Sequence, residues 1–123
     1  MNTVIAARGF TLKQVLALDA LTCLVTGAAL VAAASPLAGL LGLPPGLLFY
    51  AGVVLFPCAA LMLLASRTLA TSLVWMVIMG NFAWVAASVL VAVALTPTAL
   101  GFAVILGQAA VVALLGWLEL RGR

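Results

Sequence analysis

Five polar side chains in this sequence sit where chemistry would be costly to place by accident: Asp19, Asn81, Trp84, Ser88 and Gln108. Each is surrounded by Val, Leu, Ile, Met, Phe and Ala. Asp19 is the one acid away from the chain ends, in the run LALDALTCLV. A carboxyl in apolar surroundings marks a partner or a site for a proton or cation. Thr22, Cys23 and Thr26 continue its face at helical spacing. Two structural roles compete with that reading. Asp19 could cap a helix that begins at Ala20, or it could pair with Arg67 or Lys13.

Asn81, Trp84 and Ser88 are spaced three and four apart, so a helix presents them on one face. Asn81 and Gln108 each fall about ten residues, or about 15 Å, from the start of their own helices. The expectation is that the two amides meet near mid-membrane and share a hydrogen bond, as glue or as a polar grip on a ligand. Trp84 is expected to pack in the core, its indole N–H meeting Ser88 or a backbone carbonyl. Glu119 lies two residues from Arg121 and is expected to be an interfacial charge.

The remaining inventory excludes most enzyme chemistry. Histidine is absent, which removes a common haem and zinc ligand and the commonest general base. No Ser–His pair, no pair of carboxylates at one depth and no phosphate-binding glycine loop is expected. Cys23 and Cys58 lie deep in apolar runs and are expected to pack as small hydrophobes. No metal and no cofactor is expected.

These residues need elements to hold them, and the composition says which kind. The chain has 123 residues, 68% hydrophobic and 6% charged. Soluble domains carry about 25% charged residues, so this chain cannot cover a soluble surface. The five basic residues, Arg8, Lys13, Arg67, Arg121 and Arg123, are scattered at segment ends and form no nucleic-acid patch. The expected class is an all-α membrane protein, one transmembrane domain over residues 1–123.

Residues 20–66 and 68–118 are free of charge. As one helix, the first stretch would be about 70 Å long against a hydrocarbon core of about 30 Å, so it must fold back. Ser35-Pro36, Pro44-Pro45-Gly46 and Thr96-Pro97 mark the breaks. The result is a four-transmembrane-helix bundle of two hairpins, with helices at about 13–34, 46–66, 69–95 and 98–120. Residues 36–43 are expected to form a helical turn at the interface, and residues 1–12 a basic lead-in. Pro57 lies inside the second helix and is expected to kink it. All basic residues fall on one side of this arrangement, which predicts both termini and the middle loop in the cytoplasm.

Asp19, the segment 44–50, Asn81 with Trp84 and Ser88, Gln108 and Leu118-Glu119 together resemble a group of small four-helix integral membrane proteins of proteobacteria. The resemblance spans nearly the whole chain and implies a multi-pass protein of the bacterial inner membrane, without an assigned activity. Three functions follow as expectations. The first is an accessory subunit or self-associating oligomer that works through helix contacts in the lipid bilayer, with no nucleic acid. The second is a proton- or cation-coupled carrier using Asp19. The third is a binder of an apolar lipid- or quinone-like ligand.

Overall fold

The computed structural model describes residues 11–122. Among them are five helices: α1 Leu12–Ala32, α2 Ala34–Leu41, α3 Pro45–Thr68, α4 Thr71–Leu95 and α5 Ala99–Gly122. Most of the expected lead-in, residues 1–10, lies outside the described residues. The four long helices have 21, 24, 25 and 24 residues. Each therefore rises about 32–38 Å, enough to cross a hydrocarbon core of about 30 Å. The chain is a multi-pass membrane protein, and its flanks expose Leu, Val, Met and Phe side chains as a lipid-facing surface does.

Local signals set the helix ends. Thr11 and Gln14 form a capping box at the start of α1. Thr11 Oγ1 accepts from the Gln14 N–H at 3.2 Å, and Gln14 Oε1 accepts from the Thr11 N–H at 3.0 Å. This places the start of α1 at Leu12, so Asp19 lies well inside the helix and caps nothing. α2 covers most of the helical turn expected over 36–43, beginning two residues earlier. It ends at Gly42, whose φ of 69° suits a residue without a Cβ. Pro45 then opens α3, where its missing N–H costs nothing. α3 runs through Pro57 as one helix. Leu69 takes a left-handed cap conformation, which delays α4 to Thr71, two residues later than expected.

The bundle is two tight hairpins laid side by side, α1 with α3 and α4 with α5. In the first, two glycines let the backbones nearly touch. A Cβ on Gly52 would lie 2.9 Å from the Gly27 carbonyl oxygen, and one on Gly27 would lie 3.0 Å from that of Gly52. Without a hydrophobic drive between helices in lipid, such close packing is a main source of association.

Contacts define the two ends. At one end Leu12, Leu69, Thr71 and Gly122 line a shared crevice, so the start of α1, the α3–α4 loop and the end of α5 lie together. Lys13, Arg67 and Arg121 all belong to this end. At the other end the Thr98 N–H donates to the Leu41 carbonyl at 3.1 Å, and Thr98 Oγ1 donates to the Leu40 carbonyl at 2.8 Å. These bonds tie α2 to the α4–α5 turn. Gly101 makes room for them, because a Cβ there would collide with the Leu41 carbonyl. One apolar core, around Leu16, Ala20, Met62, Ala65 and Ile78, fills the basic half, and a second, around Leu41, Leu48, Ala92 and Ile105, fills the other.

Candidate functional site

All four long helices contribute to one cavity of about 290 Å³ inside the bundle. Asp19, Thr22, Cys23 and Thr26 line it from α1, at the spacing expected from the sequence. Cys58 and Met62 face it from α3, Asn81 and Trp84 from α4, and Gln108, Val112 and Leu115 from α5. Met76, Gly80 and Val111 also line it and are exposed on the flank of the bundle, so the cavity opens sideways at membrane depth. Cys23 Sγ lies 3.6 Å from Met62 Sδ, which makes this part of the wall a polarisable, apolar one.

At the basic end of the cavity three polar side chains converge. The Asn81 Nδ2 group donates to Asp19 Oδ2 and to Glu119 Oε1, each at 2.7 Å. Asp19 is 1% exposed, Glu119 0% and Asn81 4%. One amide nitrogen thus bridges the two carboxyls. Asp19 and Asn81 border the cavity, while Glu119 stands behind them, one turn from the end of α5.

This arrangement revises four expectations. Asp19 is neither a helix cap nor, among the described residues, the ion-pair partner of Lys13 or Arg67; its partner is Asn81, which it shares with Glu119. Glu119 is an interior residue, not an interfacial charge. Two carboxyls do share one depth. And Asn81 does not bond to Gln108, because both of its N–H groups go to the acids.

Gln108 instead anchors a second polar layer. Its Oε1 accepts from Trp84 Nε1 at 2.8 Å, so the indole meets this amide and not the expected Ser88 or backbone carbonyl, and its Nε2 donates to Ser88 Oγ at 2.8 Å and to the Ile105 carbonyl at 2.9 Å. Ser88 Oγ in turn donates to the Trp84 carbonyl at 2.8 Å. The helical face Asn81–Trp84–Ser88 is therefore divided. Asn81 serves the acids, and the other two serve Gln108.

Glu119 escaped the sequence reading because Arg121 stands beside it. Two residues along a helix is about 200° around it, so neighbours at that spacing point apart. Arg121 turns outward and stacks on Trp117, 4.8 Å from the ring centroid. Glu119 turns inward with Gln108, Val112 and Leu115. The spacing 108, 112, 115, 119 is a one-face helical pattern, and it is the signal that could have placed the second acid in the bundle.

The acid cluster has a surplus of acceptors. Two carboxyls and an amide oxygen face the two N–H groups of one amide, and both of those are already engaged. Glu119 Oε2 is wholly buried, and among the described residues no donor reaches it. Buried acceptors without donors are rare and costly. A proton shared between the acids would supply the missing donor, and a cation at the cavity face would offset charge on Asp19, the acid that borders it.

No family model, no curated protein and no solved structure matches this chain.

Proposed function

We propose that this protein is a small proton- or cation-coupled carrier of the bacterial inner membrane, working through Asp19 and Glu119, and that it is not a catalyst. One observation carries the reading. Two buried carboxyls share a single amide beside a membrane-depth cavity, and one carboxyl oxygen has no donor among the described residues. Like charges in low dielectric cannot both persist without compensation. The pair is therefore built to hold one positive charge, as a proton or as a bound cation. Asp19 meets the cavity and Glu119 stands behind it toward the basic end. A proton released from the pair then has a short way out past the last turn of α5.

The accessory-subunit role rests on the exposed apolar flank, which any membrane protein has, and it gives the acid pair no task. A purely apolar lipid or quinone would fill the walls and leave the acceptor surplus unanswered. The proposed orientation puts both termini and the Arg67 loop in the cytoplasm, following the basic residues. Reporter tags after Arg123 and at Gly42 should then report opposite sides.

The test of function uses proteoliposomes loaded with a pH indicator. They receive opposed gradients of protons and of an ion that cannot cross the bilayer unaided: Na⁺, K⁺ and a short-chain quaternary ammonium in turn. Wild-type protein is expected to couple proton movement to at least one of them. Asp19→Asn is expected to abolish coupling and keep the thermal midpoint. Proton movement in no case, or coupling that survives Asp19→Asn, would return the protein to the accessory-subunit role.

A further inference from the structure

The same cavity constrains the cation, and this step rests on the carrier reading above. We infer that the ligand is an alkylammonium: a protonated amine bearing an apolar body, entering sideways from the lipid and setting its N–H groups on Asp19 and the Asn81 amide oxygen.

Three features lead there. The first is where the charge lies. Asp19 and Asn81 border the cavity at one end, and among the described residues no basic side chain lines it. What faces the cavity is the carboxyl of Asp19 and the amide of Asn81, with Glu119 behind them, and Arg121 is held on Trp117.

The second is what the rest of the wall offers. An inorganic cation needs oxygen ligands on several sides. Here the Thr22 and Thr26 hydroxyls lie on the same α1 face as Asp19, and the Gln108 oxygen already accepts from Trp84. Most of the remaining surface is Leu, Val, Met and Cys. A bare ion would have ligands on one side and hydrocarbon on the other. An ammonium with an apolar tail matches both, and the indole of Trp84 adds an aromatic wall that tolerates positive charge.

The third is the opening. Met76, Gly80 and Val111 put the mouth on the lipid-facing flank, where amphiphilic amines concentrate.

Charge balance sets the step. The ammonium arrives with its own protons and keeps them. The proton shared by Asp19 and Glu119 leaves through Glu119 to water at the basic end. One positive charge replaces another, no covalent bond to carbon is made or broken, and the buried site does not change its net charge.

The experiment titrates the full chain in nanodiscs by calorimetry. The probe is 4-phenylbutylamine, 4-phenylbutan-1-ol is its neutral counterpart, and empty nanodiscs are the blank. Two buffers of different ionisation enthalpy report proton release. The amine is expected to bind and to release a proton, seen as a heat that depends on the buffer. The alcohol is expected to bind at least about tenfold more weakly, and Asp19→Asn to weaken the amine by a similar factor. Val112→Phe narrows the cavity without touching the acids and should also weaken the amine about tenfold; it serves if Asp19→Asn misfolds. Equal binding of amine and alcohol, or amine binding unchanged in either variant, overturns the proposal. If the amine does not bind but the proteoliposome assay shows coupling to Na⁺ or K⁺, the carrier reading stands and the ligand class falls. If both fail, both readings fall.

Discussion

Two polar layers cross the interior of this bundle, and they are built on opposite principles. In the layer of Trp84, Ser88 and Gln108, each engaged donor meets an acceptor: indole to amide oxygen, amide to hydroxyl and carbonyl, hydroxyl to carbonyl. In the layer of Asp19, Asn81 and Glu119, one amide serves two acids and an oxygen is left over. The first layer is complete without help and has the character of glue between α4 and α5. The second leaves Glu119 Oε2 without a donor among the described residues, and on the carrier reading an added proton or cation balances it. In a membrane, where water cannot correct an imbalance, that difference separates a packing element from a site.

The comparison can be broken by removing the hub of each layer. Asn81→Leu takes away the only N–H groups that reach the two acids among the described residues. It should destabilise the protein by about 3 kcal/mol or more, in the manner of a broken buried charge network. Asp19→Asn and Glu119→Gln should be far milder, because each substitutes an amide N–H for the missing donor. Thermal melting in detergent checks all three together. If Asn81→Leu melts no lower than the two amide variants, the acids do not depend on Asn81.

Close backbone packing should give the next effect. Gly52→Ala would press a methyl to 2.8 Å from Leu30 Cβ, and should cost about 1–3 kcal/mol as overpacking does. Gly107→Ala meets nothing within 4 Å and should be neutral to within about 0.5 kcal/mol. Equal melting of the two would mean that α1 and α3 are not held by the Gly27–Gly52 approach.

The balanced layer should show the smallest effect, typical of membrane hydrogen bonds. Gln108→Leu should cost about 1–2 kcal/mol. A cycle of Trp84→Phe with Gln108→Leu should give a coupling of about 0.6–1.7 kcal/mol. The cycle of Asn81→Leu with Gln108→Leu should be additive within about 0.5 kcal/mol, since the two residues share no partner. Strong coupling in that second cycle would merge the layers into one network.

Much of this architecture can be read from the residues. Charge-free runs longer than the bilayer, broken at Pro36, Pro44 and Pro97, leave four crossings as the simplest answer, and the structure has them within a few residues. The start of α1 was legible as well, in the Thr11–Gln14 capping box, whose recognition removes the helix-cap role for Asp19. The polar residues were visible, but their partners were not. Asn81 and Gln108 lie at similar depth, and depth alone suggested a pair. Which amide meets which group depends on helix rotation and on the α1–α4 contact, and no local pattern encodes either. Glu119 was misplaced because sequence proximity to Arg121 stood in for spatial proximity. On a helix, residues two apart point to different neighbours.

The central claim is that Asp19 and Glu119 together hold one proton when no other cation is bound. Infrared spectroscopy of the full chain in nanodiscs tests it directly, because a protonated carboxyl has a C=O stretch that a carboxylate lacks. At neutral pH the wild-type protein should show that band, and the double variant Asp19→Asn with Glu119→Gln should lose it. A wild-type spectrum without the band, from folded protein with no cation added, would contradict the account.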